Sequence, residues 1–185
     1  GYASPEGTTK QNEILSVGRA DALKAYPTVK MWLGYLTADK AMYEAALAMP
    51  VDYCNPFRLE TIPVLEKAKE LFPESDKPYY YLGCLLYNKQ QDVAAEQWSR
   101  CVEMNPQMDL AWRNLGWYNW LYTKNYDEAA ECYAKAVELA PEKALYLEEQ
   151  EYVLEAKAEA KKCFQTSLDL KNDNLWSKFM LETLK

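Results

Sequence analysis

The 185-residue chain contains no histidine. That removes the commonest general base and the commonest metal ligand, so any chemistry would fall to carboxylates, lysine, tyrosine or cysteine. Glycine is scarce, at six residues. Few glycines beside many Ala, Glu, Lys and Leu argue against a β-sandwich and for helices. No run of about 18 or more apolar residues occurs, so no membrane span is expected. The opening "GYASPEGTTKQNEILS" lacks the charged start and apolar block of a secretion signal, so no signal peptide is expected and both cytoplasm and periplasm stay open. Basic residues are outnumbered 21 to 28, for a net charge of −7. A nucleic-acid binder needs a basic face, so that partner class is disfavoured. Close cysteine pairs are also missing. Cys54, Cys84, Cys101, Cys132 and Cys163 are odd in number and widely spaced, which fits neither a disulfide framework nor a zinc site. They read as small packing residues. No cofactor and no metal are expected.

What the chain does have is aromatic residues, 15 tyrosines and 6 tryptophans, placed with a period. Residues 79–106 carry Tyr79-x-x-Leu82-Gly83, then Ala94-x-x-x-Trp98, then Pro106. Residues 112–141 carry Trp112-x-x-Leu115-Gly116, then Ala129-x-x-x-Tyr133, then Pro141. The offsets are 33 at the glycines and 35 at the alanines, second aromatics and prolines. Upstream, "VLEKAKELFP" ends at Pro73, 33 residues before Pro106. Each block reads as two helices with a turn between them. Glycine on the first helix and alanine on the second permit close approach. The aromatic fills the gap to the next unit, and the proline stops the second helix.

This pattern resembles the tetratricopeptide repeat, a helix–turn–helix unit of about 34 residues. Leu86 and Asn119 stand where the repeat has a tyrosine, and the turn between helices is one residue too short in the first unit and one too long in the second. The resemblance implies an all-α fold, a tetratricopeptide-like α-solenoid of stacked antiparallel helix pairs. Residues 142–170 read as a third unit with a shortened turn and no Leu-Gly step. "NDNLWSKFMLETLK" reads as a C-terminal capping helix, with Asp173 or Asn174 as its N-cap and Leu175, Trp176, Phe179 and Met180 closing the stack. Before the repeats, helices are expected near 28–37, 40–48 and 57–72, with Thr28 capping the first and Pro63 delaying the last.

Two domains follow from this reading: an N-terminal segment, 1–26, and a helical repeat domain, 27–185. "MWLGYL", "NPFRLE" and the repeats together resemble the C-terminal repeat region of large bacterial proteins of unknown function, over roughly residues 27–156. In those proteins the repeats follow β-rich domains that look carbohydrate-related. Within the first segment, Gly1, Tyr2, Gly7, Asn12, Leu15, Ser16, Arg19 and Ala20 resemble a fragment of the OmpA-like domain; a degenerate repeat helix is the alternative.

By helical geometry, the first helix of each repeat lines a concave wall. Tyr80, Cys84 and Tyr87 fall there in one unit, and Arg113, Trp117 and Trp120 take the matching places in the next. Aromatics with an arginine are typical anchors of binding surfaces. The tetratricopeptide resemblance adds Asn114, which matches one asparagine of that family's carboxylate clamp. Tyr80 and Cys84 stand where its lysine and asparagine belong, so the clamp is not expected. Arg113 beside the indoles is expected to meet an acidic group. The partner is expected to be a protein or peptide, and alternatively a carbohydrate, since Trp and Tyr faces also stack on sugars. "LEEQE", residues 147–151, offers paired carboxylates but reads as a solvated helix face. No enzyme activity is expected.

Overall fold

Three prolines end three helices in the same way. Phe72, Asn105 and Ala140 each precede a proline and each leave the helix with φ between −141° and −135°. The pyrrolidine ring excludes the helical region for the residue before it, so the chain must extend there. In each case the departing N–H still donates to the carbonyl four residues back, at 2.8 to 3.0 Å. The 33- and 35-residue spacing of these prolines therefore sets a recurring stop in the backbone.

A computed structural model describes residues 26–51, 58–170 and 175–184. The described residues form nine α-helices and no strand. They fall into two compact units. The first, within residues 1–86, holds α1 (Pro27–Thr37), α2 (Lys40–Leu47), α3 (Ile62–Leu71) and α4 (Lys77–Leu86). The second, within residues 87–185, holds α5 (Gln91–Met104), α6 (Asp109–Tyr118), α7 (Tyr126–Leu139), α8 (Ala144–Leu170) and α9 (Leu175–Thr183). In each unit, consecutive helices pack as antiparallel pairs, the all-α, α-solenoid-type architecture of tetratricopeptide-like repeats. The resemblance of residues 1–26 to an OmpA-like fragment, and the N-caps expected at Asp173 or Asn174, lie outside the described residues.

In the first unit, α1 packs on both α2 and α3, and α3 on α4. Met31, Tyr43, Val64, Leu65 and Ala68 are fully buried between them. The Tyr43 hydroxyl donates to the Val64 carbonyl at 3.2 Å. Trp32 Nε1 donates to Thr61 Oγ1 at 3.3 Å. Lys77, at the start of α4, donates to the carbonyls of Leu47, the last residue of α2, and Met49 just beyond it. Those carbonyls have no helical partner, so an ammonium there is favourable. Thr28 does not cap α1. Tyr26 is the N-cap, and Pro27 opens the helix because it needs no N–H partner there. Pro63 delays the next helix as expected: a 3₁₀ turn covers Leu59–Thr61 and the α-helix begins at Ile62.

Close approach by glycine is real in both units. An ideal Cβ on Gly116 would lie 2.8 Å from the ring of Tyr133 on α7. A Cβ on Gly34 would lie 2.8 Å from Tyr43 Cδ2 and 2.9 Å from the Asp39 carbonyl. Gly34 and Tyr43 thus form a shortened version of the same contact. Ala38, with φ 53°, turns the chain between their helices, and Asp39 caps α2 through Ala41 N at 2.9 Å.

The extra residue of the second repeat is absorbed as a π-turn. Asn119–Thr123 continue α6 with wider turns, the usual way an inserted residue is taken into a helix. Lys124, at φ 58°, closes it, and Asn125 N donates back to Asn119 O at 3.1 Å. Asn125 then caps α7 by accepting from Glu128 N at 3.3 Å.

Two expectations at the C-terminal end are corrected. Residues 144–170 form one unbroken helix, α8, instead of two joined by a turn. They contain no glycine and no proline, so nothing interrupts the ladder. The helix α9 does form, but Leu175, Trp176 and Phe179 point outward, 79%, 63% and 55% exposed, and Met180 is half-buried. Ser177 and Leu184 are the buried positions. The Ser177 hydroxyl meets that of Ser167 at 3.0 Å, which suits a close crossing of α8 and α9.

Adding a methyl at Gly116 is expected to destabilise the protein by about 1–3 kcal/mol through overpacking against Tyr133. Gly116→Leu should do more. Urea denaturation checks this, and Gly116→Ala melting with the parent would contradict the close approach.

The candidate partner-binding wall

The wall expected on the first helices can be placed residue by residue. Tyr80 is buried, 1% exposed, with its ring edge-on to Tyr81 at 5.5 Å. It is a core residue and not an anchor, which corrects the sequence expectation. A tyrosine two positions before Leu82 has the same composition signal whether it faces in or out, so sequence spacing alone misassigned it. Cys84 is half-buried.

The remaining residues lie in the second unit, and several touch. Tyr87 is half-buried and meets Trp98 at 5.5 Å and Tyr122 at 5.7 Å between ring centroids. Tyr122 stacks on Tyr118 at 5.9 Å with 22° between planes. Trp117 and Trp120 meet edge to face at 5.3 Å. All these geometries suit the quadrupoles of aromatic rings. Trp120 also leans on the buried cluster of Ala129, Tyr133 and Val153, so it joins wall and core. Trp112 is half-buried and donates its indole N–H to the Pro106 carbonyl at 2.9 Å, tying the start of α6 to the preceding proline stop. Tyr118 is anchored by donating to Asp92 on α5 at 2.8 Å.

The π-turn shapes this surface. A tetratricopeptide unit of ordinary length would end α6 one residue earlier. The added residue lets Tyr122, 45% exposed, reach both Tyr87 and Tyr118. Asn119, at the start of the turn, is buried; its side chain faces Thr123 Oγ1 at 3.3 Å and lies beside Cys132. Sequence reading identified neither Tyr118 nor Tyr122 as part of the wall. The one-residue excess in the repeat was the available signal.

Arg113 is where the expectation changes most. Its Nε donates to Glu149 Oε2 at 2.7 Å, and its Nη2 to the other oxygen of the same carboxylate. Nη1 reaches Asn114 Oδ1 at 3.3 Å. The guanidinium also lies over the Trp117 ring at 5.2 Å. Glu149 is nearly buried at 7% of its side chain exposed, against 25% for Arg113. So "LEEQE" is not uniformly a solvated face: Glu149 points inward, while Glu148 and Glu151 stay outside. The forked cation is filled by a carboxylate of the same chain, bidentate and largely shielded, the strongest form of such a pair. Burial alone would lower the Arg113 pKa, but the hydrogen bonds and charge of Glu149 raise it instead.

Tyr133 sits beneath this pair. Its hydroxyl is buried beside the Glu149 carboxylate. Burial, and then the Glu149 charge, push its pKa well above the tyrosine range. Further clasps hold α8 in place. Lys143 pairs with Asp109 at 2.5 Å, Tyr146 donates to the same carboxylate at 2.8 Å, and Lys157 pairs with Asp127. Neither a metal-binding cluster of acidic residues and cysteines nor a membrane-crossing helix occurs among the described residues.

The described residues have a tetratricopeptide-like, all-helical repeat fold. No protein-family model matches the chain. No curated protein matches it either. Among solved structures, one from the functional characterization of Pseudomonas aeruginosa PilF aligns over 90% of this chain and 69% of its own, at 22% identity and a TM-score of 0.49. The repeat assignment rests on the glycine, proline and aromatic geometry above.

Two predictions follow from the geometry. Arg113→Ala leaves Glu149 buried without its cation and is expected to cost about 3 kcal/mol. The double variant Arg113→Met/Glu149→Leu should recover most of that loss, because it removes both charges. Urea midpoints of the single and double variants decide it, and a single variant as stable as the parent would refute the internal pair. Separately, burial pushes the Cys132 thiol up to about 12. An unfolded thiol titrates near pH 8.5, so the unfolded chain loses that proton first, and stability falls as pH rises from roughly 9 to 12. Cys132→Ala should flatten the fall between about pH 9 and pH 12, measured as the change in denaturation midpoint.

Proposed function

We propose that the second unit is a protein-interaction module that takes a peptide segment, or a neighbouring domain, along the wall of Tyr87, Trp117, Tyr118, Trp120 and Tyr122. The observation that carries this reading is the set of touching, partly exposed rings held in place from below. Tyr118 is fixed by Asp92, Trp117 by the Arg113 guanidinium, and Trp120 by the Tyr133 cluster. Rigid aromatics offer contact area at small entropic cost, which is what a binding anchor requires.

Arg113 supports the wall and is not its recognition group. With its fork occupied by Glu149, the wall favours partners that bring apolar and neutral polar side chains over a free carboxylate. Asn114 is half-buried beside Arg113 and supports the same arrangement. The proposal keeps the domain reading for residues 27–185 as repeat-bearing chain.

Selection of a random peptide library on the immobilised protein tests this reading, with a glycan array run in parallel. Enriched peptides should be rich in apolar residues. Tyr122→Ala and Trp117→Ala should each weaken the selected peptides by about 2 kcal/mol if the residue is a true anchor. Tyr122→Ala should leave the melting transition unchanged, since that ring is half outside. Binding of glycans without peptides would replace this reading by carbohydrate recognition. Peptides untouched by both variants would place the binding surface elsewhere.

A further inference from the structure

The outer side of α8 carries a second surface, independent of the aromatic wall. The helix buries Tyr146, Glu149 and Val153 against the unit. A helix packed on one side only is expected to show charged residues opposite. Here the opposite side is mixed. Leu147 and Leu154, seven residues apart, lie on one flank at 44% and 50% exposed. Leu145 and Tyr152, also seven apart, lie on the other flank at 45% and 58%. Seven residues make two helical turns, so each pair forms a stripe. Between the stripes lie Glu148, Glu151 and Glu155, spaced three and four apart and all exposed. Among the described residues, no lysine or arginine pairs with any of the three. The neighbouring cations Lys143 and Lys157 are committed to Asp109 and Asp127.

We propose that this face docks a basic amphipathic helix of a partner protein, whose lysines or arginines meet the central carboxylates while its apolar residues cover the two leucine and tyrosine stripes. Charge selects this occupant. A second copy of the chain would bring the same three carboxylates and a net charge of −7 against them. An anionic lipid surface would be repelled for the same reason. A helix with cations at helical spacing removes both objections, and opposite charge also speeds encounter. The apolar stripes supply area that salt does not screen, while the central pairs weaken with salt.

The test uses the full chain and a synthetic amphipathic helix of lysine and leucine as probe. A glutamate–leucine peptide of the same pattern serves as control. Fluorescence anisotropy should show binding of the lysine peptide that weakens with added salt, and none of the glutamate peptide. Glu148→Lys/Glu151→Lys/Glu155→Lys should weaken the lysine peptide by at least about tenfold. Leu154→Ser/Tyr152→Ser should also weaken it, while Tyr122→Ala on the aromatic wall should not. Circular dichroism confirms that each variant keeps its helix content. The proposal is overturned if the glutamate peptide binds equally, or if the α8 variants leave lysine-peptide affinity unchanged. It is also overturned by binding to phosphatidylglycerol vesicles that Leu154→Ser/Tyr152→Ser abolishes, or by a dimer in light scattering that the same variant dissolves.

Discussion

The contact between Gly116 and Tyr133 is the constraint on which the second unit depends. Helix α6 can lie close to α7 only because residue 116 has no side chain, and the space is filled by a ring from the opposite helix. That ring is fully buried. Its far end reaches Arg113, Glu149 and the base of Trp120. Helix packing, the internal ion pair and the aromatic wall therefore share one support. A closely packed interior transmits such a change directly, because it has little room to relax.

The Arg113–Glu149 pair has two effects that work in opposite directions. It fastens α8 across α6, 36 residues away in sequence. It also takes away the cation that was expected to meet an acidic partner on the wall. Desolvating two charges is costly, and the fork geometry with Trp117 beneath it offsets much of that cost. What remains outward is an electrically quiet set of rings. The exposed carboxylates Glu148, Glu151 and Glu155 lie elsewhere, on the outer side of α8. The two surfaces thus differ in chemistry: one aromatic and neutral, one apolar and acidic.

The helical nature of the chain, the proline stops and the close approach at Gly116 were legible in the sequence because they depend on local chemistry, whereas Tyr133, expected to fill the gap to the next unit, packs on Gly116 of its own repeat. Proline forbids a helical residue before it wherever it stands. A glycine followed at repeat spacing by alanine and an aromatic describes a helix crossing. The bounds of α1 and α2 were close to those expected, while α3 begins five residues later than expected, after the 3₁₀ turn, with Pro63 delaying its start. Thr28 was misread as a cap because proline at the first helical position makes a side-chain acceptor there less necessary. The unbroken α8 was misread because repeat periodicity suggested a turn where the residues themselves contain no helix breaker.

By itself the sequence determined an all-helical repeat chain, with aromatic residues gathered on the helix that opens each repeat. Only the tertiary structure decided which of those residues face outward and which charges are already satisfied. Tyr80 and Tyr87 lie seven apart on the same helical register, yet one is sealed in a core and the other half-open. Glu148 and Glu149 are neighbours in sequence, yet one is solvated and the other holds an arginine from another helix. The reason is that burial and ion pairing are set by what packs across from a residue. A partner such as Glu149 for Arg113 leaves no mark in the residues beside it, and becomes evident only when α8 is laid across α6.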